Sequence, residues 1–135
     1  MNILFLHTKK RETGDIGERA AAKYLRFRKH YRILERNYVA AGAEIDLIAG
    51  TKTHDIFVEV KTRTAGHEDP RESRPAAAVT KEKQRHIFRA AKVYLARRGY
   101  RKKVRFDIVE VTLDEKGRVQ NILHMENAFT ADTCR

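Results

Sequence analysis

Two short β-rich runs, Ala43 to Ala49 and Ile56 to Arg63, are separated only by Gly50-Thr51-Lys52-Thr53-His54-Asp55. So short and turn-rich a connection returns the second run on the first as an antiparallel hairpin. A turn centred between Lys52 and Thr53 sets opposite one another any two positions whose numbers sum to 105. Alternation then places Glu44, Asp46 and Ile48 on one face of their strand, and Phe57, Glu59 and Lys61 on one face of theirs. In this register Asp46 faces Glu59 and Glu44 faces Lys61, so three acids and a lysine share a surface.

Two carboxylates directly across a hairpin repel, and partial burial sharpens the repulsion unless a cation lies between them. A hard divalent ion resolves the conflict: Mg²⁺ takes oxygen ligands, keeps several waters, and is satisfied by one or two carboxylates, a strand carbonyl and a phosphate oxygen. Lys61, two residues beyond Glu59 and about 7 Å along the same face, is placed to act on an attacking water or to offset charge on a phosphoryl group. The pattern outlines a phosphodiester-hydrolysing site. The alternative is a two-faced hairpin whose polar side is solvated, with Glu44 and Lys61 an ordinary cross-strand pair.

The rest of the chain supplies the layers that would cover such a hairpin. From Thr13 to His30, Ile16, Ala20, Ala21, Tyr24, Leu25 and Phe27 recur at helical spacing, with Asp15 and Glu18 in what reads as the first turn. The apolar residues sweep about 180° of this helix, and Glu18, at about 200°, borders the stripe. It is either a dipole-favoured residue on the solvent edge or a carboxylate aimed at the next layer. Tyr31 to Glu35 reads as a further strand. Thr80 is an N-cap for a helix running to Arg98, with Ile87, Phe88, Ala91, Tyr94 and Leu95 as its apolar stripe and Gly99 as its stop. Val104 to Leu113 and Val119 to His124 form a second hairpin around Asp114-Glu115-Lys116-Gly117, and Thr64 to Val79 reads as an exposed loop. The order α-β-β-β-α-β-β predicts a single α/β domain, a central mixed sheet flanked by helices.

Charge narrows the partners. The 135 residues carry 29 Lys and Arg against 18 Asp and Glu, a formal net charge of +11, which excludes a membrane-embedded chain and points to a polyanion. The basic residues gather in Lys9-Lys10-Arg11, Arg26 to Arg36, Lys81 to Arg89 and Arg97 to Lys103. Cys134 is the single cysteine, so an internal disulfide and a Cys-based zinc site are both excluded. The six histidines lack paired ligand spacing, and Ile3-Leu4-Phe5-Leu6 is too short for a signal-peptide core; a cytoplasmic location is expected.

Several blocks of the sequence together resemble a known family. Asp46 followed by Glu59-Val60-Lys61 after a hairpin, with helix-borne Glu18 before them, resembles the PD-(D/E)xK motif of restriction-endonuclease-like nucleases. Gly17-Glu18-x-x-Ala21, Asn37, Glu44-Ile45-Asp46-Leu47-Ile48, Phe57 to Arg63, Lys83-Gln84 and Arg105-Phe106-Asp107 are, in that order, similar to the YraN family of small bacterial proteins. The similarity covers about residues 12 to 125, leaving an N-terminal arm (1–12), a nuclease-like domain (13–125) and a C-terminal tail (126–135). Ala43 stands where the family usually has Gly, and Val39, Ala40 and Ala41 stand where basic residues usually lie.

The resemblance implies a restriction-endonuclease-like fold and a Mg²⁺ or Mn²⁺ ion held by Asp46 and Glu59, with Val60 adding its carbonyl. It further implies that Lys61 handles the attacking water. Glu18 would reach the metal directly or through water, as the helix-borne acid does in the similar archaeal Holliday junction resolvases. Gln84 lies in the buried stripe of its helix; it either bonds a neighbouring backbone group or, as on the equivalent helix of RecB-like nucleases, supports the lysine or touches substrate. Asp107 reads as a partner for Arg105 or as an acid behind the site.

The expected function is metal-dependent cleavage of DNA, favoured over RNA, in branched or single-stranded form. The alternative is a non-catalytic nucleic-acid-binding protein on the same scaffold, and a third reading is a subunit whose charge serves an acidic protein. The pattern is compatible with a homodimer and does not specify the oligomeric state.

Overall fold

The computed structural model describes residues 3–66 and 79–134, with side chains described from Arg11 onward to Asp132 within those ranges. Helix α1 (Ile3–Phe27) is followed by strands β1 (Arg32–Ala40), β2 (Ala43–Gly50) and β3 (His54–Thr64), helix α2 (Lys81–Arg98), strands β4 (Lys103–Leu113) and β5 (Val119–Met125), and a 3-10 turn at Ala131–Cys134. The strands form one mixed sheet in the order β1-β2-β3-β4-β5, with β3 and β4 parallel and every other pair antiparallel. The parallel step follows from α2, which carries the chain back across the sheet between β3 and β4.

Each helix covers one face. Ala21, Ala22 and Leu25 of α1 pack on Leu47, Ala49, Ile56, Val58, Val60, Val109, Val111 and Leu113. Ile87, Ala90, Ala91, Tyr94 and Leu95 of α2 pack on Ile48, Phe57 and Ile108, closed by Phe129. The central strand β3 is buried from Asp55 to Val60 because both helices cover it, Ile56, Val58 and Val60 facing α1 and Phe57 facing α2. Thr80 caps α2 as expected, its hydroxyl accepting from the Lys83 N–H at 3.1 Å, and Gly99 ends it in the left-handed conformation at φ 89°.

Two elements differ from the sequence reading. Helix α1 begins at Ile3, ten residues before the expected start, so part of the expected arm is helical and Glu18 lies about four turns inside. The first-turn explanation for Glu18 is thereby removed. Strand β1 runs on to Ala40 rather than ending at Glu35, and turns into β2 through Ala41 (φ 51°) and Gly42 (φ 72°). Two residues in the left-handed region make the tight hairpin turn usually marked by Asn-Gly, and alanine at the first position disguised it. The expected loop from Thr64 to Val79 lies largely outside the described residues, which resume at Val79.

Candidate metal centre

The β2–β3 register is the one read from the turn: Leu47 pairs with Val58, Ile48 with Phe57, Ala49 with Ile56 and Gly50 with Asp55. The ladder stops before Asp46 and Glu59. There the Val60 N–H donates to Asp46 Oδ2 at 2.8 Å, a side-chain bond where the next backbone rung would lie. Strict alternation also ends at this point. Ile45 joins Ile48 in the core beneath α2, three positions apart rather than two or four. Strand β2 is thus re-aimed around Asp46, and the two strands part where the acids sit.

Glu59 is 6% exposed and shares a hydrogen bond with Asp46, so the two carboxyl groups lie side by side. Burial, and then the neighbouring Asp46, push the Glu59 carboxyl up to about 8. Burial raises Asp46 as well, against the pull of the Val60 amide and of its bond to Glu59. Lys83 and Lys61 both act on Glu59 in the other direction, favouring its charged form. Lys61, two residues on along β3, and Lys83, on the first turn of α2, are thus both near the Glu59 carboxyl.

Glu18 approaches from α1. Its carboxyl is raised to about 7, first by burial and then by Asp46, Glu44 and Asp15. Asn37 ties this acid to the sheet. With its amide nitrogen turned toward the carboxylates, it donates to Glu18 Oε2 at 3.1 Å and to Glu44 Oε1 at 3.0 Å. Asn37 sits at φ 51°, a left-handed conformation that asparagine tolerates better than most side chains. Glu44 therefore has a described partner on β1, in addition to its expected position opposite Lys61.

Gln84 is buried, and its amide nitrogen donates to the Val79 carbonyl at 3.0 Å, the backbone bond that was one of its two readings. Asp107 is fully buried and serves Arg105: the guanidinium makes two bonds to its carboxylate at 2.8 and 2.9 Å, while His124 at 2.8 Å and the Asn127 N–H at 2.9 Å complete the shell. These bonds outweigh burial and hold Asp107 below the usual carboxylate range. It belongs to a structural network, as expected.

Asn37 and Lys83 were visible as motif letters only. Strand and helix periodicity carry no sign that one bridges two acids or that the other reaches a neighbouring layer.

The donor set suits a hard cation. Glu59 Oε2 is buried with no hydrogen-bond partner among the described residues, beside a second carboxyl group, and a bound cation is what would satisfy it. The available ligands are oxygens: Asp46, Glu59 and the Val60 carbonyl. Among the described residues no three His, Cys, Asp or Glu side chains are spaced to hold one ion, so the arrangement is a two-carboxylate one.

A mixed five-stranded sheet with a helix on each face, and acids where its two central hairpin strands diverge, defines a single-domain α/β protein of restriction-endonuclease-like architecture. A family model described as "Uncharacterised protein family UPF0102" matches residues 17–111, and the chain belongs to this family, the YraN family. It is 44% identical over 125 residues to the UPF0102 protein of Geobacter metallireducens, covering 92% of this chain and 95% of that one. It is 43% identical over 122 residues to the UPF0102 protein of Caldanaerobacter subterraneus, covering 89% and 96%. Over 126 residues it is 42% identical to that of Acetivibrio thermocellus, covering 89% and 92%.

Proposed function

We propose that the protein is a Mg²⁺- or Mn²⁺-dependent nuclease that hydrolyses phosphodiester bonds in DNA. The observation that carries this reading is the buried Asp46–Glu59 pair with its unpartnered Glu59 Oε2, followed two residues on by Lys61. Asp46, Glu59 and the Val60 carbonyl would hold the ion, and Glu18 would reach it through water. When bound, the ion polarises a phosphoryl oxygen and lowers the pKa of water. Lys61 orients the attacking water and offsets the negative charge that grows on the phosphoryl oxygens as the new P–O bond forms and the ester P–O bond breaks.

The surroundings favour an anionic polymer. Glu18 lines a cleft of about 220 Å³ together with Asp15, Asn37 and two cationic residues, Arg19 and Arg36. The net charge of +11 would draw a phosphate backbone to it with little regard for sequence. The partner is DNA rather than RNA, in branched or single-stranded form, and the setting is cytoplasmic. Among the described residues no helix is long and apolar enough to cross a membrane.

The test is incubation of the purified protein with labelled single-stranded, duplex and four-way-junction DNA, and with RNA, in Mg²⁺, in Mn²⁺ and in chelator. Cleavage that needs the ion and is lost in Asp46→Ala, Glu59→Ala and Lys61→Ala proteins, each still folded and DNA-binding, is the expected result. Cleavage that persists in Asp46→Ala overturns the assignment of the site. Salt-sensitive binding without cleavage of any form would favour the non-catalytic reading, which the surplus of basic charge supports by itself.

A further inference from the structure

A second concavity lies away from the acids, between α2 and the chain that follows β5, with the start of β4 as its floor. It encloses about 710 Å³. Phe88, Val104 and Phe106 supply apolar surface, and Val104 is 38% exposed within it. Arg85, Arg89 and Lys92 stand along its rim at helical spacing, about 10 Å from first to last. Arg89 and Lys92 have no carboxylate partner among the described residues. The acid on this rim, Glu82, lies 3.9 Å from His86 one turn on. An apolar floor with the cations Arg89 and Lys92 along one side is complementary to a ligand that carries both apolar groups and negative charge.

The aromatic geometry distinguishes two such ligands. A single-stranded nucleic acid needs an open ring face on which to stack a base. Here Phe106 is stacked with Phe57 at 5.3 Å and with Phe129 at 5.4 Å, and meets Phe88 in a T-shaped contact at 4.5 Å. The ring is thus already engaged by three others of the protein. What remains suits the insertion of side chains between Phe88 and Val104, with carboxylates meeting the rim.

We propose that this groove docks an acidic segment of a partner protein, with its aliphatic or aromatic side chains on Phe88 and Val104 and its carboxylates paired with Arg89 and Lys92. The proposal is independent of the metal centre, since the groove contains none of the acids described there. Binding should weaken with salt at the rim yet keep an apolar contribution that salt does not remove.

The test is fluorescence anisotropy of the full-length protein with a short labelled peptide of Asp, Glu and Phe. The same peptide with Phe→Ser and a labelled single-stranded oligonucleotide serve as comparisons. Saturable peptide binding is expected. It should weaken at least tenfold in the Arg89→Glu/Lys92→Glu variant, in Val104→Glu, and in the Phe→Ser peptide, while thermal melts of both protein variants stay close to the parent. Arg89 and Lys92 are exposed, so charge reversal there tests binding rather than folding. Absence of peptide binding, or binding unchanged by these substitutions, overturns the proposal. So does peptide binding that ignores Phe→Ser and is displaced by the oligonucleotide, which would make the rim a general polyanion surface.

Discussion

Gly17 of α1 lies directly against Thr62 of β3: a Cβ added to the glycine would sit 1.8 Å from Thr62 Oγ1 and 2.8 Å from Thr62 Cβ. The space leaves no room for a β-carbon, and the contact occurs between residues adjacent to Glu18 on one side and Lys61 on the other. The absent side chain thus sets how closely Glu18 approaches the sheet that carries Asp46 and Glu59. Gly17→Ala should cost about 1–3 kcal/mol through overpacking, measured by chemical denaturation. Combining it with Thr62→Ala should recover part of that loss, because the clashing hydroxyl is gone; strictly additive effects would show that α1 shifts freely.

Glu59 gives the ion-free protein a definite pH dependence. Between the ordinary value of 4.5 and about 8, the folded chain holds a proton that the unfolded chain has released. Stability is therefore greatest below this window and falls as pH rises through it. Glu18 adds to the decline between 4.5 and about 7. Thermal melts in chelator should show the slope, and Glu59→Gln should flatten it.

A divalent ion should reverse that trend. As the pH rises the carboxyl groups lose protons that otherwise compete with the ion, so the stabilisation by Mn²⁺ should grow across the same window. At an ion concentration about a hundred times the dissociation constant the gain is about 2.7 kcal/mol. Melts of Asp46→Asn and Glu59→Gln with and without Mn²⁺ should show little of it.

On the proposed mechanism, Lys61 separates chemistry from folding. It is half-buried at the end of the covered part of β3 and has no part in either core cluster. Lys61→Ala should lower cleavage by about 10²–10⁴-fold, the usual range for one proton-handling group, with the melting temperature and DNA affinity of the parent. A matching loss of stability would reassign the lysine to the scaffold.

Asp107 makes the opposite case. Removing it leaves Arg105 largely buried without its two-bond partner and strips His124 of the same carboxylate. Asp107→Ala should cost about 3–5 kcal/mol in denaturant titrations, while the stabilisation by Mn²⁺ in the folded fraction remains.

Much of this architecture was legible because local rules and the tertiary fold agree. Thr80 and Gly99 bounded α2, and a six-residue connection set the register from Gly50–Asp55 to Leu47–Val58, the rung next to Asp46 and Glu59, with no knowledge of the neighbouring strands. The failures share a cause as well. Residues 3–12 mix apolar and basic side chains without a clear amphipathic period, so the beginning of α1 left no signal. Ala41 in a left-handed turn contradicts its own preference and hid the end of β1. Asn37 spans two elements far apart in the chain, and no spacing rule along one strand can reveal a side chain whose partners lie on another helix and another strand.

The acids of β2 and β3 are joined by Glu18 from the layer above and by Lys83 from the layer below. No hairpin, and no half-assembled intermediate with a single helix docked, presents all four groups together. Under the proposed reading, activity would therefore wait on the docking of both helices, and a nascent or damaged molecule would lack it.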